Sequence, residues 1–322
     1  MNPHLAGEAV EVGEVLRESI ADAGGVDLLR RAVADPRVRD EAGALLHAIG
    51  VWDVRPLEDR LELEVAASAS RAAGHFALPY PVTERFAKLP GSGATALVAS
   101  ASPALVAHGD LPLAWTGVDL DGHLHTLTPS QEEPLGTKLA PFAVPMVVGS
   151  TPERMPSLAA LAVSLQSWWL LGLLEHVVAD TVRYTREREQ FGRSLISFQG
   201  VGFQLADMAV ALESLDELAK YTLWRLAVDG DSALVDAVAL RGAAQQAADT
   251  ILRAAHQLHG AMGFTDELDV SWLSRASQLP RRIPEGRHAG AARLVQLIER
   301  VGWPEFGHSA NARNAVPAEK IP

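Results

Sequence analysis

Through most of the chain, apolar side chains recur every three or four positions, the spacing that lines one face of an α-helix. Val12, Val15, Leu16 and Ile20 predict a helix over residues 10–23, stopped by Gly24-Gly25. Helices over 27–34 and 39–49 follow, the second ending at Gly50, and then one over 57–73 with Leu61, Val65 and Ala66 on one side. Pro79, Pro81 and Gly91 then break the pattern. Residues 94–100, 113–118 and 123–127 read as short strands, with 119–122 as a turn and 141–148 as a further strand.

Helical spacing returns with Leu158, Leu161, Leu165, Trp168, Gly172 and His176, in a helix expected to run on to Gln190 and to stop at Phe191-Gly192. A second helix covers 198–228, with Val201, Leu205, Met208, Leu212 and Leu215 inward. Asp231 or Ser232 is expected to cap a third, which ends at His259 before Gly260 and Gly263. A fourth covers 287–301. The expected fold is therefore mainly α: an N-terminal helical domain (1–82), a reduced middle β domain (83–150), a C-terminal four-helix bundle (151–303) and a loose tail (304–322).

Composition narrows the chemistry. With 40 acidic against 28 basic residues the chain carries −12, no footprint for nucleic acid, so any anion site must be local. The absence of cysteine excludes disulfides, thiolate nucleophiles and iron–sulfur clusters. Residues 157–174 are apolar enough to raise a membrane span, but Ser164, Gln166 and Ser167 interrupt them and Glu175 and His176 follow, so a buried helix and no membrane is the expectation. The first residues are neither basic nor followed by an apolar core, which points to a cytoplasmic chain.

Two segments carry candidate chemistry. The first is Tyr184-Thr-Arg-Glu-Arg-Glu-Gln-Phe-Gly192, followed by Ser197-Phe-Gln-Gly200 and Leu205-Ala-Asp-Met208. Arg186 and Arg188 there either cap a helix C-terminus through its dipole, or Arg188 projects to bind phosphate with its planar fork. The second is His256-Gln-Leu-His-Gly-Ala-Met-Gly-Phe-Thr265 with Glu267 behind it. His256 and His259 sit one turn apart without a third ligand nearby, so no metal is assigned.

Together these strings resemble the signatures of the acyl-CoA dehydrogenases: Arg-Glu-Gln-Phe-Gly, Ile-Ser-Phe-Gln and Leu-Ala-Asp-Met, then Gln-Leu-His-Gly with Gly-Phe-Thr, in the family's order over about 158–273. The resemblance implies a helical domain, a β domain and a bundle, and α,β-desaturation of acyl-CoA thioesters with electrons passed to a carrier protein. It also implies a shared FAD, one subunit's β domain holding the isoalloxazine and a neighbour's bundle reaching the pyrophosphate and adenosine. Carried over, the contacts are Arg188, Gln190, Phe191, Gln257 and Gly260, with Leu195 and Phe198 as further candidates.

The departures matter as much. Nothing in 92–150 resembles the family's Thr-Glu-Pro…Gly-Ser-Asp loop, and this insert is shorter than the family's β domain. At the family's glutamate position on the first bundle helix stands Trp169, flanked by Trp168 and Leu170, and an indole accepts no proton from an α-carbon. The other family position is approached by Glu285 in Pro284-Glu285-Gly286-Arg287, shifted by a residue; otherwise Glu285 is an acid favoured by the following helix dipole. Such one-sided loss is expected of the degenerate chain in an α2β2 heterotetramer, paired with a longer, complete dehydrogenase subunit, as in actinobacterial enzymes acting on steroid side-chain CoA esters. A homomeric dehydrogenase using Glu285, and a helical scaffold without flavin, stay open. Arg275, Arg281, Arg282, Arg287 and Arg293 are either a local basic region near the adenosine phosphates or a solvated face.

Overall fold

The computed structural model describes residues 4–99, 102–131, 137 and 139–301, so the tail expected over 304–322 lies outside the described residues. Five helices open the chain: α1 (Gly7–Asp22), α2 (Val26–Ala34), α3 (Val38–Ile49), α4 (Arg60–His75) and α5 (Val82–Phe86). Gly50, at φ 78°, closes α3 in the left-handed conformation expected of it. Helix α4 begins three residues later than its apolar pattern suggested, because the Asp59 carboxylate accepts from the Glu62 N–H at 3.0 Å and caps it there.

Strands β1 (Ala94–Leu97), β2 (Ala104–Ala107), β3 (Trp115–Val118), β4 (His123–Pro129) and β5 (Ala143–Arg154) form one sheet in the order β1-β3-β4-β5-β2. Only β1 and β3 run parallel. The turn expected over 119–122 joins β3 to β4: Asp119 accepts from the N–H groups of Asp121 and His123, and Gly122 sits at φ 86°. Ala94, Ala96, Val98, Ala104, Val106, Trp115, Leu127 and Met146 fill the sheet with a small core of its own. Strand β2, not expected from the pattern, pairs antiparallel with β5 from Ala104↔Met146 to Ala107↔Ala143.

The rest is helical: α6 (Pro156–Glu187), a two-stranded hairpin of β6 (Glu189–Gln190) and β7 (Arg193–Ser194), α7 (Gln199–Asp229), α8 (Leu234–His259), α9 (Asp269–Ala276), α10 (Gln278–Arg282) and α11 (Arg287–Val301). Helix α6 stops at Glu187, short of the expected Gln190, because the chain turns into the hairpin before Phe191. Asp231 caps a helix other than the expected one: its carboxylate accepts from the Ser157 N–H at the start of α6 at 2.8 Å, while α8 starts after a 3₁₀ turn without a side-chain cap.

One core joins the N-terminal helices to the bundle. Its hinge of contact is α4 on α6. A Cβ on Gly74 would lie 1.9 Å from the Trp169 carbonyl oxygen, and one on Gly172 would lie 1.9 Å from the Arg71 carbonyl oxygen. Glycine at both positions lets the two backbones touch. By length and composition α6 could cross a membrane, but 83% of its most apolar window is buried inside the fold, so its apolar surface serves the core.

Candidate functional site

The end of the bundle where α6 stops and α8 finishes gathers both singled-out segments. Tyr184, in the last turn of α6, stacks on His259, in the last turn of α8, with centroids 4.4 Å apart. His259 Nδ1 bonds the Ala255 carbonyl at 2.8 Å, and His256 stacks on Phe264 at 4.8 Å. The two imidazoles thus have separate packing duties, and burial lowers the pKa of His256. Gly260 (φ 60°, ψ −140°) closes α8 in a conformation that only glycine adopts easily.

Arg188 follows the last residue of α6. Its N–H donates to the Tyr184 carbonyl and its carbonyl accepts from the Leu195 N–H, which anchors the hairpin. The exposed guanidinium bonds no helix carbonyl and no carboxylate among the described residues, so the simple capping role has no contact to carry it. Beyond it, Phe191 and Gly192 turn the hairpin with φ of 53° and 77°, the mirror-type geometry that a two-residue turn requires. Phenylalanine in that region is strained, and Phe191 is 91% exposed, so neither backbone nor burial explains it. Its ring meets Phe198 edge-on at 6.2 Å, and Phe198 in turn carries the Arg193 guanidinium 4.0 Å above it.

Gln190 and Gln257 are exposed at the same end, and Leu195 is half-buried. A Cβ on Gly200, Gly202 or Gly260 would meet nothing within 4 Å, which leaves this surface open to a flat ligand or another chain. Helix α7 leads away from it with an uncovered face: Phe203 and Val210 are 61% and 66% exposed, and Phe264, after α8, is 72% exposed. Of the first half of α7, only Met208 is fully buried.

The cavity at Trp169 has a different character. Trp169, with Gln166, lines a cavity of about 90 Å³ between α5, α6 and the segment before β5. Tyr80, Glu84, His108 and Phe142 complete its wall. Burial raises the pKa of Glu84 and drops that of His108 to about 3, so the imidazole is neutral near neutral pH. Drug-sized ligand pockets hold roughly 300–1,000 Å³. This one is far too small for an isoalloxazine together with a thioester.

Glu285 does not line that cavity. Its Oε1 pairs with Arg293 at 2.9 Å, and its backbone carbonyl accepts from Arg241 and Gln245. The carboxylate is therefore engaged in an ion pair that holds the start of α11, together with Arg293–Asp121 at 2.7 Å. The arginines weighed as a local basic region or a solvated face are largely neutralised: Arg275 pairs with Asp266, Arg281 and Arg287 with Asp249, and Arg293 with Asp121 and Glu285. Arg282 alone of those five lacks a carboxylate among the described residues. Sequence reasoning missed Arg253, a cation one helical turn before Gln257 on α8. Its signal, an i,i+4 arginine–glutamine pair on one polar face, was present.

The residues present fit FAD in one sense only. An open, cationic, aromatic-tipped surface suits a nucleotide seated on a neighbour, whereas the filled sheet and small cavity do not suit an enclosed flavin ring.

Comparison with known proteins agrees on the architecture. Residues 164–296 match the model of the acyl-CoA dehydrogenase C-terminal domain. The short-chain-specific acyl-CoA dehydrogenase of Megasphaera elsdenii is 30% identical over 129 residues, 40% of this chain and 30% of that protein. The chain thus matches less than a third of the length of such curated relatives. Among solved structures, the ChsE4-ChsE5 complex from Mycobacterium tuberculosis superposes with a TM-score of 0.72 at 17% identity, over 95% of this chain and 100% of that one. A Tcur3481-Tcur3483 steroid ACAD variant does so with 0.71 at 19% identity, over 91% and 98%. With its signature strings on the same bundle end and its sheet between two helical parts, this chain has the acyl-CoA dehydrogenase fold, and its bundle resembles that family's C-terminal domain.

Proposed function

We propose that the chain is a subunit of an FAD-dependent acyl-CoA dehydrogenase that lends its bundle end to a cofactor seated mainly on a longer partner subunit, and that it lacks a working base of its own. One observation carries this reading: the division between an open, unpaired contact surface at Arg188 and Phe191 and a chamber of about 90 Å³ walled by Trp169. Bound FAD would supply the hydride acceptor for α,β-desaturation. On this chain, Arg188 would neutralise pyrophosphate charge through its planar fork. Phe191 and Phe198 would offer aromatic faces, with Leu195 setting the hairpin against α7. Gln190 and Gln257 would hydrogen-bond the adenosine end, and Gly260 would permit close approach of the ligand.

The partner would supply the glutamate that takes the α-proton, the enclosing β domain and the acyl-CoA pocket, and the reduced cofactor would be reoxidised by an electron carrier protein. An α2β2 assembly is supported by likeness to a heteromeric complex, and a steroid side-chain CoA ester by likeness to a steroid-acting one. Co-expression with a longer dehydrogenase subunit tests the proposal. A yellow, active complex from two chains that are separately colourless is expected. A yellow and active isolated chain would instead favour Glu285 as its base, and no colour in either preparation would favour a scaffold.

A further inference from the structure

The turn between β3 and β4 carries a cluster that the proposed function does not use: Asp119-Leu-Asp121-Gly-His123-Leu-His125. Both imidazoles face one oxygen of Asp119, whose Oδ2 lies 3.3 Å from His123 Nδ1 and 3.3 Å from His125 Nε2. The other oxygen, Oδ1, accepts from the backbone N–H groups of Asp121 and His123, both at 2.9 Å. The turn itself therefore fixes this carboxylate and aims Oδ2 at the two rings. An oxygen of Asp121 comes within 4.8 Å of the nearest such atoms of Asp119 and His123. Asp121 is in turn held by Arg293, at 2.7 Å, and by Arg300.

The spacing around Oδ2 is long for a hydrogen bond, since a charge-assisted N–H to carboxylate contact draws in to about 2.7–2.9 Å. It is the right length for something else. Bonds of about 2.0–2.1 Å from a tetrahedral zinc to nitrogen and oxygen place neighbouring ligand atoms about 3.3 Å apart. A second observation is independent of that spacing. The His125 side chain is only 8% exposed, yet its Nδ1 has no partner and its Nε2 has only the long contact to Asp119 among the described residues. Buried polar groups are rarely left so poorly satisfied. His123, with 51% of its side chain exposed, opens the cluster to solvent and gives an ion a way in.

We infer that Asp119, His123 and His125 form a zinc site, with Asp121 holding a water in the fourth position. Two imidazole nitrogens and a carboxylate suit Zn²⁺, whereas Mg²⁺ and Ca²⁺ take oxygen ligands. Asp121 is not counted as a ligand, because Arg293 and Arg300 already share its charge. Both arginines belong to α11, so an ion here would stiffen the turn on which that helix is anchored. The inference does not depend on the shared-cofactor reading and stands or falls apart from it.

The test strips the full chain of metal with a chelator and titrates it with zinc chloride in competition with a chromophoric zinc indicator. One zinc per chain is expected, undisturbed by millimolar Mg²⁺, together with a raised thermal midpoint. Cobalt chloride should give the intense visible bands of a four-coordinate ion. His123→Ala removes a ligand from an exposed position, so the fold should be kept, as helicity will report. It should weaken zinc binding by about a hundred-fold or more, beyond the ten- to hundred-fold that outer partners of a metal are worth. Asp119→Asn should weaken it likewise, and neither variant should gain thermal stability from zinc. His47→Ala, which removes an exposed imidazole on α3, should bind as the wild type does. Failure of the wild type to take up micromolar zinc overturns the inference. So does uptake that survives both His123→Ala and Asp119→Asn, which would mark an adventitious ion held elsewhere, and so does displacement by Mg²⁺.

Discussion

Phe191 combines two features that a free surface residue rarely shows together. It holds a positive φ of 53° and leaves 91% of its surface in solvent. A side chain in the left-handed region costs about 1–2 kcal/mol, and nothing inside the chain recovers that cost. Phe191→Gly should therefore leave the isolated chain equally stable or raise its stability by up to about 1 kcal/mol, as read from denaturant midpoints. In the two-chain complex the same substitution should lower flavin content. Arg188→Ala should do likewise, weakening FAD retention by about ten-fold or more with unchanged helicity, because a charge-assisted bond to phosphate is lost and no internal contact is. Equal flavin content in both variants would remove these residues from the site. Trp169 is the counterpart in the chamber: the residue type alone excluded a base there, and its place in the wall of a small cavity gives that exclusion a shape.

At the level of elements, the contact of α4 with α6 is the most exacting in the fold. Gly74→Ala or Gly172→Ala drives a methyl to within 1.9 Å of a backbone oxygen, where no side chain can yield. Each should cost about 3 kcal/mol or more, at or above the upper end for overpacking, and lower the thermal midpoint sharply. Retention of the wild-type midpoint would mean that the two backbones do not touch. The same elements indicate what a sequence discloses. Long helices such as α6, α7, α8 and α11 were legible because their apolar stripes repeat over many turns. Strand β2 was not, since Ala104-Leu-Val-Ala107 is too short to show alternation, and α9 and α10 were too short to show a period. The end of α6 was misread because Phe191-Gly192 is a hairpin turn rather than a helix stop. Both signature segments were legible as strings, but their meeting through Tyr184 and His259 was not, nor was the pairing of Arg281 with Asp249. Those are facts of tertiary neighbourhood, which residue order does not encode locally.

Across the whole molecule, the buried polar groups set the response to pH. Burial and the Arg17 charge hold His75 at about 3, and burial and Arg39 do the same for His108, against 6.5 for a free imidazole. Between those values the unfolded chain binds protons that the folded chain refuses, so stability must fall as pH drops from about 6.5 towards 3. Asp269, its pKa lowered by its hydrogen bond to His176 and by burial-opposing charges such as Arg30, adds to the same loss at the acid end. Denaturant midpoints at pH 7 and pH 4.5 check this, with a lower value expected at pH 4.5; an equal or higher one would contradict the burial of these imidazoles. Two contrasting regions stand out at this scale: a filled sheet with a cavity of about 90 Å³ beside α5 and α6, and an open bundle end with unpaired Arg188 and exposed Phe191. The most direct test is the flavin spectrum of this chain purified alone and together with a longer dehydrogenase subunit. The account predicts no flavin absorbance for the single chain and a stoichiometric FAD spectrum for the pair. Tightly held FAD and desaturation of an acyl-CoA by the single chain would contradict it.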